Sequence, residues 1–221
     1  ATPAHCTTMS LEEIQMAVQT ARSFGKKVNV HARSIQSIQY SLLAGVDMIY
    51  HAEYSDEKTL DMLEEARDRI FVAPAISLFH TMLHEAEPFG LPRTVVEGMG
   101  IPALIEESVK THTELRKRGI RHLIGGDYGF TWNMNGTNAR DIKHFVDYYG
   151  YAPAAALVCA TRNGGLAMRD QGDLGTLQEG MLADMLLVDG DPLKELTILT
   201  DKNRLALIMK DGEIHSLAAS L

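Results

Sequence analysis

"KVNVHARSIQSIQYSLLAGVDMIYHA", residues 27–52, is the stretch on which the fold turns. Val28 and Val30 lead into His31, and Met48, Ile49 and Tyr50 lead into His51, so two strand-like apolar runs each finish on a histidine. Between them Ile35, Ile38 and Leu42 recur at helical spacing, and Gly45 supplies the stop. A strand, a helix and a second strand make a crossover long enough for a right-handed parallel connection. Both histidines then reach the same edge of one sheet.

The same rhythm extends in both directions. Upstream, Ser10 stands three residues before Glu13, the capping-box spacing, and Leu11, Ile14, Val18 and Ala21 form an apolar stripe ending at Gly25. Downstream, Ser55 is expected to cap a helix over 56–69, followed by the strand "IFVAPAI" at 70–76. An irregular stretch with Pro88, Gly90 and Pro92 precedes a helix from about Pro102 to Arg118, and the strand "RHLIGGD" runs to Asp127. Four strands alternating with helices predict an α/β fold. Their nearly continuous apolar character suits a sheet covered on both sides, either a barrel or an open doubly wound sheet. After Asp127 the pattern changes. Helices are expected at 138–149 and 152–162, then short strands at 182–188 and 204–216 joined by glycine-containing turns, a small β-layer beside the α/β body.

Composition narrows the function classes. The 221 residues are 45% hydrophobic, enough to bury a sizeable core, and the net charge of −8 argues against nucleic-acid or anionic-membrane partners. Two cysteines, Cys6 and Cys159, make no disulfide framework. No apolar run approaches transmembrane length, and the first ten residues lack the regions of a signal peptide, so a cytoplasmic location is expected.

His31, His51 and Asp127 all sit at predicted C-terminal strand ends. In a barrel those ends converge on the active-site face. Two imidazoles and a carboxylate are ordinary ligands for zinc or a similar divalent ion. Arg33, two residues beyond His31, offers a planar donor fork to an anionic or carbonyl-bearing substrate. His80, in "LFHTMLHEAE", and Tyr128, next to Asp127, are candidate pocket residues. The glutamate of a zinc-protease HExxH motif is absent between His80 and His84.

"VNVHAR…AGVDMIYHAEYSDE", "IFVAPAISL", "LIGGDYG" and "GTLQEGMLADMLLVDGDPL…IMKDGEIH" resemble, in that order, the metal-dependent amidohydrolase superfamily, most of all its imidazolonepropionase and Xaa-dipeptidase branch. The loop "GGDYGFTWNMNGTNARDIKHF" is more similar to hydrolases of phenylurea or thiocarbamate compounds. The resemblance implies the second half of a (β/α)8 TIM-type barrel, strands 5–8, over residues 1–170. Residues 171–221 would supply the returning strands of a small β-sandwich. It implies that His31 and His51 bind a divalent metal, zinc above all, as one or two ions. Asp127 would bind metal and handle protons for the attacking water. The activity implied is hydrolysis of an amide-like C–N bond in an amide, peptide, urea or carbamate.

Two features depart from the resemblance. Such enzymes carry a His-x-His pair on strand 1 and often a carboxylated lysine on strand 4, neither of which is in this sequence. The missing amino-terminal half is therefore expected from another chain or a further segment, and unpaired strand edges make a homo-oligomer expected as well. A non-catalytic subunit or fragment serving assembly is the alternative. Arg33 is the second departure, standing where relatives commonly show histidine.

Overall fold

A computed structural model describes residues 5–168 and 171–217. They fall into two compact units, 1–134 and 135–221. The boundary expected at 170/171 lies inside the second unit.

In the first unit, α1 (Leu11–Ser23) opens with the expected capping box, in which Ser10 and Glu13 satisfy each other's backbone N–H. β1 (Asn29–Ala32), α2 (Ile35–Ala44) and β2 (Met48–His51) follow. Gly45 ends α2 at φ 81°, a left-handed conformation that costs glycine little. α3 (Glu57–Glu65) is capped by Asp56 rather than Ser55. The Asp56 carboxylate accepts from both the backbone and the hydroxyl of Thr59, while the Ser55 hydroxyl donates to the Ala52 carbonyl.

β3 spans only Phe71–Ala73, and α4 (Ile76–His84) begins where strand was expected to end. α5 (Arg93–Gly98) and α6 (Ile101–Lys117) lead to β4 (Arg121–His122). The expected strand over 121–127 is thus shorter, and its last residues leave the ladder to form the loop that carries Asp127. The four strands are parallel in the order β1-β2-β3-β4. β1 is an edge strand and half-exposed, where a buried strand was expected; β3 is buried throughout. Ile14, Val18, Ile38, Leu42, Ile49, Leu63, Val72 and Leu115 form one core among α1, α2, α3, α6 and the strands.

Beneath the sheet lies a buried histidine pair, with His112 Nδ1 and His122 Nε2 3.1 Å apart and both rings 0% exposed. Burial, with Arg116 adding to it, pushes His122 down to about 3. The unfolded chain therefore takes up this proton first. The stability contribution is full above pH ~6.5 and is lost as pH falls from there toward 3. Between pH 7 and 4.5 His122 alone should cost roughly 2–3 kcal/mol. Urea unfolding at the two pH values should show that much less acid sensitivity in His122→Gln than in the parent.

In the second unit, α7 (Arg140–Tyr149), α8 (Pro153–Ala160) and α9 (Arg162–Met168) pack successively, and α7 also packs on the 3-10 turn Leu196–Thr200. Phe145, Tyr149, Cys159, Leu196 and Ile198 are buried. That packing is why these helices group with the following strands. β5 (Met185–Val188), β6 (Leu205–Lys210) and β7 (Glu213–Leu217) make an antiparallel sheet. Asp211 and Gly212, both at positive φ, turn β6 into β7 as the "DG" pair predicts. Among the described residues, no helix is long and apolar enough to cross a membrane.

Candidate functional site

The parallel register sets Tyr50 beside His31 and His51 beside Ala32. Pleating alone would send His31 and His51 to opposite faces. The backbone breaks that alternation at the end of β2, where His51 and Ala52 adopt φ 79° and 66°. Non-glycine residues hold such angles only where the surroundings impose them, at about 1–3 kcal/mol each. Here Ala52 N donates to Ala32 O at 3.0 Å and Tyr54 N to Arg33 O at 3.3 Å, tying the turn to β1. The result is a close meeting of rings, with His31 Nδ1 2.8 Å from His51 Nε2.

The same turn carries a residue that sequence reasoning missed. Glu53 is 0% exposed, with Oε1 3.3 Å from His51 Nδ1 and Oε2 3.1 Å from Arg33 Nε. Burial pushes its carboxyl up, but His51 and Arg33 outweigh burial and hold it below the usual carboxylate range. A charge taken out of water survives only when paired, which these two neighbours accomplish. Thr111 of α6 donates to the Glu53 carbonyl at 2.7 Å. The signal was present in the spacing: Glu53 follows Arg33 by the same twenty residues that separate the histidines. An opposite-charge pair just beyond the ends of neighbouring strands was readable once the parallel pairing was assumed.

Arg33 is 26% exposed and its guanidinium stands 5.4 Å over the Phe79 ring of α4. Its Nη2 is buried with no hydrogen-bond partner. His80, the next residue of α4, lies 3.5 Å from Glu85 and its ring 4.8 Å from that of His84. Asp127 is half-buried at φ 55°, in a loop clasped by the buried amide of Asn133. Asn133 Nδ2 donates to the carbonyls of Gly126 (2.8 Å) and Asp127 (3.0 Å), and Oδ1 accepts from Ser77. Gly129 N donates to the Asn133 carbonyl and closes the loop over Tyr128, which is half-buried.

Burial lowers the basicity of His31 and the neighbouring His51 adds to this, while the Asp127 carboxylate opposes it. A neutral imidazole keeps the lone pair that a metal ion needs. Two ligands of one tetrahedral zinc stand about 3.3 Å apart for bonds of about 2.0–2.1 Å, so a small separation of the two rings would admit an ion. The histidine pair fits a divalent metal. Among the described residues no group of three His, Cys, Asp or Glu is close enough to hold one, and Asp127 acts on His31 through its charge.

Comparison with known proteins finds relatives over nearly the whole chain. The ochratoxinase of Aspergillus niger is 24% identical over 206 residues, covering 93% of this chain and 41% of its own. Its crystal structure superposes with a TM-score of 0.85, 22% identity, and coverage of 98% of this chain and 48% of its own. An imidazolonepropionase of Pyrobaculum arsenaticum is 23% identical over 207 residues, 92% of this chain and 46% of its own. A prolidase solved with N-methylphosphonate-L-proline superposes at TM-score 0.84 and 22% identity, over 98% of this chain and 51% of its own. The chain thus spans less than half the length of these curated relatives. The amidohydrolase family's sequence model matches residues 1–215. This chain belongs to the amidohydrolase family.

Proposed function

We propose that this chain carries part of the centre of a metal-dependent hydrolase cleaving an amide-like C–N bond in a small molecule. The observation that carries this reading is the 2.8 Å approach of His31 Nδ1 to His51 Nε2 from two parallel strands. The two imidazoles would hold a divalent ion, zinc being the best match to nitrogen ligands. When bound, such an ion acidifies a water and polarises the scissile carbonyl. Asp127 would accept the proton of the attacking water and return it to the leaving nitrogen. Arg33 would orient substrate, with Tyr128 and His80 bounding the pocket.

In the same reading the first unit is the second half of a (β/α)8 barrel, and the antiparallel strands belong to a small β-sandwich. Two observations support it: the four parallel strands alternate with helices, and the matched relatives are about twice as long. The remaining ligands, a His-x-His pair above all, would come from a further segment or another chain.

The test is hydrolysis of N-acyl amino acids, dipeptides, phenylureas and carbamates, followed as released amine in the metal-loaded protein. Turnover that a chelator removes and zinc restores is expected; no turnover by protein holding its full metal complement would overturn the reading. On any substrate found, Arg33→Lys keeps the charge but loses the fork. A charge-assisted hydrogen bond is worth about 1.5–3 kcal/mol, so kcat/KM should drop roughly 10- to 100-fold at unchanged metal content. Parent-like kinetics would leave Arg33 no part in substrate binding.

A further inference from the structure

We infer that Phe130, backed by Trp132, stacks on an aryl ring of the substrate, so that the preferred amide carries an aromatic group beside its scissile bond. This deepens the amide-hydrolase reading and rests on it for the part given to Asp127. Phe130 lies three residues beyond Asp127 on the same loop. It is 41% exposed, and its ring lies over that of Trp132 with centroids 5.6 Å apart and planes 20° from parallel. Offset stacking of this kind is a preferred arrangement of two aromatic rings. One face of Phe130 is thus covered by the indole, which leaves its exposed surface for a third ring.

The stack is anchored at the edge of the sheet where the histidines stand. α4 leaves the C-terminal end of β3, and the loop is fastened to its first residues: Ser77 donates to the buried Asn133 side chain at 3.1 Å, and Leu78 N donates to the Gly126 carbonyl at 3.1 Å. Trp132 packs, together with Tyr54, against the apolar cluster that contains Leu78 and Phe79, and the Arg33 guanidinium stands over the Phe79 ring. The indole therefore shares its support with the residue assigned to orient substrate. Three residues of chain span at most roughly 11 Å, so a ring on Phe130 and a carbonyl beside Asp127 fit within one small molecule.

The contact is made by ring faces and not by hydrogen bonds. The indole N–H is buried without a hydrogen-bond partner, so neither ring offers a polar atom to a ligand. The turn that carries both rings is held before any ligand arrives. Gly129 N donates to the Asn133 carbonyl at 2.9 Å, Asn133 N donates to the Phe130 carbonyl at 3.0 Å, and Asn133 Nδ2 ties down the carbonyls of Gly126 and Asp127. A side chain already ordered has little freedom left to lose on binding. An apolar surface alone would accept any hydrocarbon of the right size, whereas a ring on a ring gains roughly 2- to 12-fold in affinity beyond the area it buries. The selectivity is therefore for a flat aromatic ring over a saturated one.

Trp132 is the only tryptophan in the sequence, so its emission reports on the stack directly. The metal-free protein is titrated with acetanilide and with N-cyclohexylacetamide, which differ only in the aromatic character of the ring. Acetanilide should change the emission saturably and bind roughly 2- to 12-fold more tightly than its saturated partner. Phe130→Leu keeps an apolar side chain without a ring face, and the turn survives because it uses the main chain of residue 130. The preference should vanish in Phe130→Leu and persist in Phe130→Tyr. No saturable change with acetanilide, equal affinity for the two amides in the parent, a preference that survives in Phe130→Leu, or its loss in Phe130→Tyr overturns the proposal. If the metal-loaded protein hydrolyses amides while the metal-free protein shows no aryl preference, the hydrolase reading stands and this proposal falls. If the aryl preference is as expected but protein holding its full metal complement turns over no amide, Phe130 stands as an aryl-binding residue and the hydrolase reading falls.

Discussion

His51→Ala and His31→Ala are each expected to strip the protein of its divalent ion and to abolish hydrolysis while leaving the fold in place. On the proposed reading, removing one of two facing imidazoles takes away a direct ligand. The affinity loss should therefore exceed the roughly 10- to 100-fold typical of changing a residue that only supports a ligand. The two variants differ in their side effects. His31 sits on the half-exposed edge strand β1, so its ring can be deleted at little cost to packing. His51 is 5% exposed and faces the buried Glu53, so its removal takes the close polar neighbour from a buried carboxylate oxygen that has no hydrogen-bond partner. A buried charge that loses a close polar neighbour is destabilised. His51→Ala should accordingly lower the unfolding midpoint as well as metal content, whereas His31→Ala should lower metal content alone. Elemental analysis after dialysis, paired with urea unfolding, separates the two effects. Unchanged metal content in both variants would remove the histidine pair from the centre.

How far the sequence predicts this arrangement depends on the range of the interaction. Contacts within one element were legible: the Ser10–Glu13 box, the Gly45 stop and the Asp211–Gly212 turn each use residues adjacent in the chain. The two histidines were legible too, because parallel strands joined by a helix repeat their ends at a fixed interval. α4 was not. Ile76, Ser77, Leu78, Phe79 and Thr81 are all buried, so the helix shows no polar face in its first half and reads as a continuation of the strand. β4 failed in the opposite sense. "LIGGD" has strand composition, but at Gly125 an added Cβ would lie 3.1 Å from the Cβ of Ala73, and the chain departs toward the Asn133 clasp. That clasp joins residues from α4 and two parts of a loop, a relation no local pattern encodes. Glu53 lies between these cases. Its spacing was visible, but its burial follows from the left-handed turn at His51 and Ala52, which involves no glycine or other turn residue.

Asp127→Asn should reduce turnover by several orders of magnitude, of which roughly 10²–10⁴-fold is the ordinary worth of general acid–base catalysis. The substitution is well suited to isolate chemistry from structure. Asp127 sits at φ 55°, a left-handed conformation that asparagine adopts as readily as aspartate. The loop is held through the main-chain carbonyl of residue 127, which accepts from Asn133 whatever the side chain. Asparagine also keeps the size and one oxygen, so a pocket wall is preserved while charge and basicity are lost. Turnover should collapse with the unfolding midpoint unchanged. Because the Asp127 charge also acts on His31, metal content must be measured on the same preparation. Full metal occupancy with lost turnover assigns the proton transfer to Asp127, and lost occupancy with turnover restored by excess zinc assigns it to holding the ion. Near-parent turnover at full occupancy would mean that the water gives its proton to another group.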